Sequence, residues 1–516
     1  SRGGPAQFAP IYADKLFVVS KQAQDTGESE KQGARFLVAD PHTMKTIAAL
    51  ENISVNSQGV SNADGRSFVG VDEHTGYIGT SNGIYVFDFQ TNQIVKKIDG
   101  SENPLVTGNE DNADGLGPLY RNQIGIMLRT SDYIFAIQQD KGILVIDPTI
   151  HEIVDTIKGC FSTMVQSMDG YIWAGKNSNM SSDGKYQAYP YGDFGASGEK
   201  WTGNQLLKLN PATLDTTIIN LPVGGIGQTW YAWNSGTLAA SYKTNALFFS
   251  FNSDPWSWFT TSELYKYDID SNNTSLIYNS ESEARYFYGS SVRVNPVNDV
   301  LYTTMYLDNL SQTYFFYKMS QNGEKLAEYR PIDRYWFPAL LFFPDNQSPV
   351  VATINDVTFN NDTICKIGLK DIATDGDNLN AAIVKSVKSL SNPSLLDASI
   401  KNNTLTLTPL ANQTGQTTVT IKVNSNGKLT ETQFLATVNW NGSSIEKQKA
   451  NNVTVSAKNG NVHISGITIS SKIEIYTISG TLIHQQTAAS EVLDISLPSN
   501  RIYVIKVGTK RFKINL

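Results

Sequence analysis

Six times along this chain, about 50 to 60 residues apart, a short apolar strand runs into an Asp-Pro-like turn and a second strand follows. The phrases are Arg35-Phe-Leu-Val-Ala-Asp40-Pro41, Gly83-Ile-Tyr-Val-Phe-Asp88, Gly142-Ile-Leu-Val-Ile-Asp147-Pro148, Gln205-Leu-Leu-Lys-Leu-Asn210-Pro211, Glu263-Leu-Tyr-Lys-Tyr-Asp268 and, more weakly, Thr313-Tyr-Phe-Phe-Tyr-Lys-Met319. A period of that size in all-strand sequence is the mark of β-propeller blades. Each unit parses into four strands. The third reads Gln123 to Arg129, Tyr133 to Gln138, Gly142 to Asp147 and Glu152 to Ile157, with the Asp-Gly, Asn-Pro and Thr-Asn turns that consecutive antiparallel strands need. The expected fold is all-β: a six- or seven-bladed propeller over residues 1–344. The apolar run Trp336 to Phe343 is expected to lend the first unit an inner strand and so remove the ring's edges.

Strand direction predicts where function sits. In a meander the turns joining first to second and third to fourth strands leave one face, and the remaining connections leave the other. The third-to-fourth turns are short and alike. The long insertions, Val106 to Arg121, Lys176 to Gly203 and Phe249 to Ser262, with shorter ones at Asn62 to Arg66 and Glu281 to Tyr288, all fall on the opposite face. They carry Tyr120, Arg121, Tyr189, Tyr191, Trp201, Trp256, Trp258, Arg285 and Tyr288, the candidate ligand-binding residues. Long aromatic loops on a rigid scaffold are the form a binding surface takes; the alternative is that the rings merely pin their own loops.

At 516 residues the chain is long enough for two to four domains. A net charge of -7 and a pI near 5.4 argue against nucleic acid or an anionic membrane as the main partner, because no basic surplus is present to displace counterions from phosphates. Nothing is long and apolar enough to span a bilayer as a helix. Cys160 and Cys365 fall in different expected domains and are read as free thiols. The start at Ser1 without a signal peptide is expected of a mature or truncated form.

After Pro344 to Pro349 the period stops. Residues 345–441 carry seven evenly spaced short strands, from Val357-Thr-Phe359 to Gln433-Phe-Leu-Ala-Thr-Val438, the spacing of an immunoglobulin-like sandwich. In Asp371-Ile-Ala-Thr-Asp-Gly-Asp-Asn378 and Leu405 to Gly415 this module resembles the cadherin-like modules of bacterial surface proteins. Asp371, Asp375 and Asp377 are candidate calcium ligands, although the twelve-residue loop and its terminal Glu are missing; the alternative is an acidic turn. Residues 442–516 read as a second β-sandwich. Ile473 to Gly480, the turn Leu497-Pro-Ser-Asn-Arg-Ile-Tyr503 and a terminal basic strand resemble the sorting domains of the type IX secretion system, without the usual Gly in that turn.

Catalysis finds little support. The five histidines His42, His74, His151, His463 and His484 share no metal-ligand spacing, which argues against zinc or a Ser-His-Asp site. Glu110, Asp111, Asp114, Asp193, Glu199 and Asp254 are the carboxylates a glycosidase would draw on, with no acid and base assigned. The chain is expected not to be an enzyme and to need no cofactor unless calcium.

Residues 1–343 resemble the YncE-like surface propellers of Bacteroidetes in Leu16 to Gln22, Ser61-Asn-Ala-Asp-Gly-Arg-Ser-Phe68, Gly76 to Ile84, Met164-Val-Gln-Ser-Met-Asp-Gly170 and Tyr335-Trp-Phe-Pro338. That resemblance implies a secreted or outer-membrane, cell-surface protein. Related propellers capture corrinoids for a TonB-dependent transporter, so the implied function is capture of a corrinoid or similar nutrient. The alternatives are an adhesive protein contacting glycans or partner proteins, and a glycan-cleaving enzyme.

Overall fold

The computed structural model describes residues 8–19, 36–50, 65–80, 83–101, 124–138, 141–159, 161–176, 205–222, 225–226, 238–252, 262–287, 292–307, 313–330, 343–441, 448–450, 452–458 and 460–516. Among these the chain is all-β, with two short 3-10 turns and no α-helix, hence no helix able to cross a membrane.

The N-terminal part forms six antiparallel sheets in chain order. Each of the first four is a plain four-strand meander. The second, for instance, runs Gly65–Gly70, Thr75–Thr80, Gly83–Asp88 and Gln93–Lys97. In the fifth and sixth the first strand is broken in two: Gly225–Ile226 with Leu238–Ala240, and Tyr286–Phe287 with Arg293–Val294. All six of the expected phrases lie on third strands. Gly83–Asp88 and Gly142–Asp147 are buried at five consecutive positions, because both faces of these strands meet apolar neighbours. The fourth strands, such as Gln93–Lys97 and Thr216–Asn220, are the most exposed of each sheet, and each mixes polar side chains with an exposed apolar one such as Val95 or Ile218.

Five of the six third-to-fourth turns share one mechanism, and in the sixth the Ser320 hydroxyl takes the place of the Asx oxygen. An Asx carboxylate or amide oxygen accepts backbone N–H groups two or three residues on: Asp40 from His42 and Thr43, Asp88 from Gln90 and Thr91, Asn210 from Ala212 and Thr213, Asp268 from Ser271. Four residues after each Asx comes a left-handed residue: Met44, Asn92, His151, Leu214 and Asn272, with φ between 52° and 64°.

Successive sheets are joined face to face by apolar cores. Phe17, Phe36, Phe68 and Phe87 bind the first to the second, and Val86, Ile124, Ile134 and Leu144 the second to the third. Phe135, Met164 and Leu207 continue to the fourth; Trp173, Leu238 and Phe249 continue to the fifth; Phe248, Val292 and Tyr317 continue to the sixth. Among the described residues no such core joins the sixth sheet to the first, and no sheet is closed on itself. The expected closing run lies, from Trp336 to Phe342, outside the described residues. Phe249, expected at the start of an insertion, is instead fully buried in Ala246–Asn252. The expected loop at Glu281 contains a 3-10 turn and the strand Tyr286–Phe287.

Residues 350–439 form the expected sandwich. One sheet holds Val357–Asn360, Lys428–Asn439, Gly415–Ser425 and Val384–Leu390; the other holds Cys365–Gly368, Thr404–Pro409 and Leu396–Lys401. They close over Leu405, Leu407, Val419, Ile421 and Phe434. Residues 448–515 add a second sandwich of two four-stranded sheets, with Ile464, Ile475, Tyr503 and Ile505 at its centre and the Tyr503 hydroxyl donating to Pro498 O at 2.7 Å. This module contains a strand the sequence reading lacked, Leu482–Thr487, whose exposed outer positions hide its pattern.

Candidate functional site

The first strands of all six sheets, the ones the repeating phrase does not include, line one cavity of about 380 Å³. Tyr12, Val69, Ile126, Met164, Leu238 and Val292 each represent one sheet. One end of the cavity is formed by the immunoglobulin-like module through Asn378, Leu379, Ala382 and Asn424.

That module sits on the face of the short, uniform turns. It meets the first-to-second-strand turns of the first four sheets. Ala13 N donates to Asn426 O at 2.8 Å and Lys428 Nζ pairs with Asp14 at 2.6 Å. Lys422 pairs with Glu73, and Asp132 accepts the Asn402 N–H at 3.0 Å. Ala381 lies against Gly170. Between them the buried Tyr12 hydroxyl accepts from Asn424 Nδ2 at 3.0 Å and donates to Asp72 O at 3.1 Å. Burial pushes the Tyr12 phenol up, so it stays neutral and able to donate. Burial also raises Glu73, but the Lys422 ammonium outweighs it and holds the carboxylate below its usual range.

Two arginines line the cavity. Arg129 donates from Nη1 to Thr130 O at 2.8 Å and reaches Val71 O and Tyr133 O at 3.4 Å. Arg293 Nη1 donates to Val292 O at 3.0 Å. Desolvation lowers Arg129 and brings Arg293 down to about 10, against an opposing pull from Tyr242, itself raised by burial.

Of the nine expected ligand-binding residues, Tyr120, Arg121, Tyr189, Tyr191, Trp201, Trp256, Trp258 and Tyr288 lie outside the described residues, as do the six carboxylates considered for glycoside cleavage and Cys160. Arg285 is described: its guanidinium lies 3.3 Å from the centre of the Phe315 ring and 3.8 Å from Glu328. Its Nε and Nη1 are buried without a hydrogen-bond partner. Beside it Glu283 accepts from Tyr317 at 2.9 Å, from Tyr278 and from Lys325 at 2.7 Å. Cys365 is a free thiol raised by burial, with no part in a site.

The trio Asp371, Asp375 and Asp377 does not assemble. Among the described residues no three His, Cys, Asp or Glu side chains are placed to hold a metal ion. The short strand Ala373–Thr374, paired with Val350–Val351, sets Asp371 at one end and the other two at the other. Asp371 acts on Lys385 instead. Asp375 and Asp377 form a tight turn in which the Asp377 N–H donates to Asp375 at 3.1 Å and Asp377 accepts the Gln347 N–H at 2.8 Å. Burial and the neighbouring Asp375 push Asp377 up to about 7.

Sequence reasoning missed the cavity lining because its residues come from six distant segments. The one signal available was that each repeat also begins with an apolar strand, as in Ile124 to Arg129.

A family model described as a domain of unknown function (DUF5074) matches residues 3–186 and 194–344, and one described as a bacterial Ig domain matches residues 346–439. No curated protein matches the chain. Among solved structures it is similar to a quinonprotein alcohol dehydrogenase-like protein from Bacteroides thetaiotaomicron, at 12% identity over 63% of this chain and 65% of that one, with a TM-score of 0.41. It is also similar to PorZ, a surface component of the type-IX secretion system of Porphyromonas gingivalis, at 12% identity over 97% of this chain and 57% of that one, with a TM-score of 0.37. The chain therefore spans less than two thirds of the length of either, and neither likeness extends to what those proteins do.

Proposed function

The chain belongs to the DUF5074 family and carries a bacterial Ig domain behind the matching part; on that footing we propose a non-enzymatic, cell-surface ligand-binding propeller whose six sheets are its blades. The observation that carries this reading is the docking of the immunoglobulin-like module. With the short-turn face covered, the opposite face is left for a ligand. That is the face toward which strand direction sends the connections bearing Tyr120, Arg121, Tyr189, Tyr191, Trp201, Trp256 and Trp258.

Such a rim binds by ring stacking and apolar contact, with arginine supplying charge-assisted bonds. A corrinoid suits it, being a broad apolar ring edged with amides and one phosphate. On this reading the protein holds its ligand for a TonB-dependent transporter, and the C-terminal sandwich serves export by the type IX route. No metal or other cofactor takes part.

Calorimetric titration of the purified chain with cyanocobalamin, beside a glycan array, tests the proposal. Binding is expected for the intact chain and for Asp147→Ala in a short turn, and not for Trp256→Ala combined with Trp258→Ala. Glycan binding without corrinoid binding would instead mark an adhesive protein; a double variant that binds as the parent does would remove the rim from the account.

A further inference from the structure

Where the linker enters the immunoglobulin-like module, three buried side-chain oxygens lack a hydrogen-bond donor: Asn346 Oδ1, Asp375 Oδ2 and Asp377 Oδ1. In each side chain the other polar atom is already fixed. Asp375 Oδ1 accepts the Asp377 N–H at 3.1 Å, Asp377 Oδ2 accepts the Gln347 N–H at 2.8 Å, and Asn346 Nδ2 donates to Asn426 O at 3.0 Å. That last bond sets the orientation of the Asn346 amide, since only its nitrogen can donate to a carbonyl. The N–H that Asp377 receives belongs to the peptide unit following Asn346, so the linker amide and the carboxylate pair are neighbours. Gly376 keeps the turn between the two aspartates open to the linker. A Cβ there would lie 2.4 Å from Gln347 Oε1, which brings a further amide oxygen over the turn.

Left to themselves these groups are costly. Asp377 is 5% exposed, its carboxylate stands close enough to that of Asp375 to share a proton, and among the described residues no lysine, arginine or histidine pairs with either. Across the interface the neighbour of Asp377 is Tyr242 of the fifth sheet, a phenol that burial keeps neutral. A shared proton would join Asp375 Oδ2 to Asp377 Oδ1 and still leave Asn346 Oδ1 buried without a donor. A cation satisfies all three oxygens at once and neutralises the pair. Hard cations accept carboxylate and amide oxygens alike, so the set needs no third acid. Asp371, held off by the Ala373–Thr374 strand, has no part in it.

We propose that Asn346, Asp375 and Asp377 bind a calcium ion at the joint between the linker and the immunoglobulin-like module, with Gln347 and water completing its shell on the exposed side. Calcium suits these donors better than magnesium does. They come from a linker and an irregular turn, whereas magnesium demands a near-ideal octahedron and gives up its waters reluctantly. The ion takes the place of the shared proton and ties the linker to the turn that leads into Asn378 and Leu379 on the cavity. It is structural, takes no part in ligand capture, and stands whether or not the rim binds a corrinoid.

The test is calorimetric titration of the full, chelator-stripped chain with calcium chloride at about pH 8, beside thermal melting with and without the ion. Two carboxylates and a partly open shell predict a Kd on the order of 0.1 to 1 mM. The melting temperature is expected to climb with each roughly tenfold rise in calcium beyond that. Asp377→Asn is expected to abolish both responses while folding in chelator at least as well as the parent, because it removes the repulsion within the pair. Asn346→Ala leaves both acids in place and is expected to weaken binding about tenfold, whereas Asp371→Asn is expected to bind as the parent does. Proteolysis at residues 345–349 should slow on adding calcium to the parent and not to Asp377→Asn. Neither heat nor a melting shift at about 10 mM calcium, an Asp377→Asn chain that responds like the parent, or a response lost in Asp371→Asn and kept in Asn346→Ala would overturn the proposal.

Discussion

Gly427 is where the docking of the immunoglobulin-like module can be broken with one methyl group. With Asn426 it forms the two-residue tip of the hairpin joining Gly415–Ser425 to Lys428–Asn439, both residues left-handed at φ 47° and 82°. The tip presses on the first turn of the N-terminal part: a Cβ at Gly427 would stand 2.4 Å from Ala13 N and 2.7 Å from Ala13 Cα. These are backbone atoms and cannot swing aside, so hairpin and turn must part by about 1 Å to reach ordinary contact. That stretches the 2.8 Å bond from Ala13 N to Asn426 O beyond bonding range. Asn426 O also accepts from Asn346 Nδ2, so the same movement loosens the linker.

The left-handed conformation costs a non-glycine residue about 1 kcal/mol, and an orphaned interfacial donor costs about 1 to 3 kcal/mol more. The hairpin carries the first cost docked or undocked, so Gly427→Ala should weaken docking by roughly 1 to 3 kcal/mol. Gly480→Ala is the control. Gly480 has φ 88° and nothing within 4 Å of the added carbon, so it carries the conformational cost alone. Limited proteolysis of the full chain at residues 345–349 reads the difference. When reclosing is fast, cleavage follows the open population, so it should rise at least about fivefold in Gly427→Ala and little in Gly480→Ala. Equal cleavage in the two variants would refute the contact argument.

Two further outcomes test the same interface. The raised Asp377 keeps its proton in the folded chain at a pH where the unfolded chain has lost it, so the folded state binds more protons and stability falls as pH rises from about 4 to about 7. Asp377→Asn should flatten that decline and melt higher than the parent at pH 8; parallel melting curves across this range would show that the pair does not titrate as described. Tyr12→Phe and Asn424→Ala, combined in a double-mutant cycle on thermal stability, should show a coupling of about 1 kcal/mol through their shared bond. Strict additivity would mean that the hydroxyl and the amide contribute independently.

The third strands and their turns were legible because each is a local signal. Gly142-Ile-Leu-Val-Ile-Asp147 states in six residues that it is buried on both faces and where it stops. Asp40 and Asp88 carry their turn instructions within four residues. The strands of the first sandwich were legible for the same reason. First strands were legible where they are long, as at Ile124–Arg129, and not in the last two sheets, where Leu238–Ala240 and Arg293–Val294 are too short to show a period. Lys422 and Glu73 meet across 349 positions with nothing in either segment to announce it. The expected calcium ligands failed on geometry: the spacing of Asp371, Asp375 and Asp377 is compact in sequence, yet the Ala373–Thr374 strand between the first two separates them.

The uniform face looked inert because its turns were short, and the same property makes it a good platform. The turns the module meets have backbone donors satisfied from within, His74 and Thr75 by Asp72 and Tyr171 by Asp169, so each keeps one shape without help from water. A flat, rigid end can be buried by another domain at little cost in ordering. Length uniformity thus suits the first face to permanent docking, and the recognition proposed above falls to the face that carries the insertions. Shortening an insertion should therefore leave the module docked, whereas lengthening the Ala13–Asp14 turn should release it.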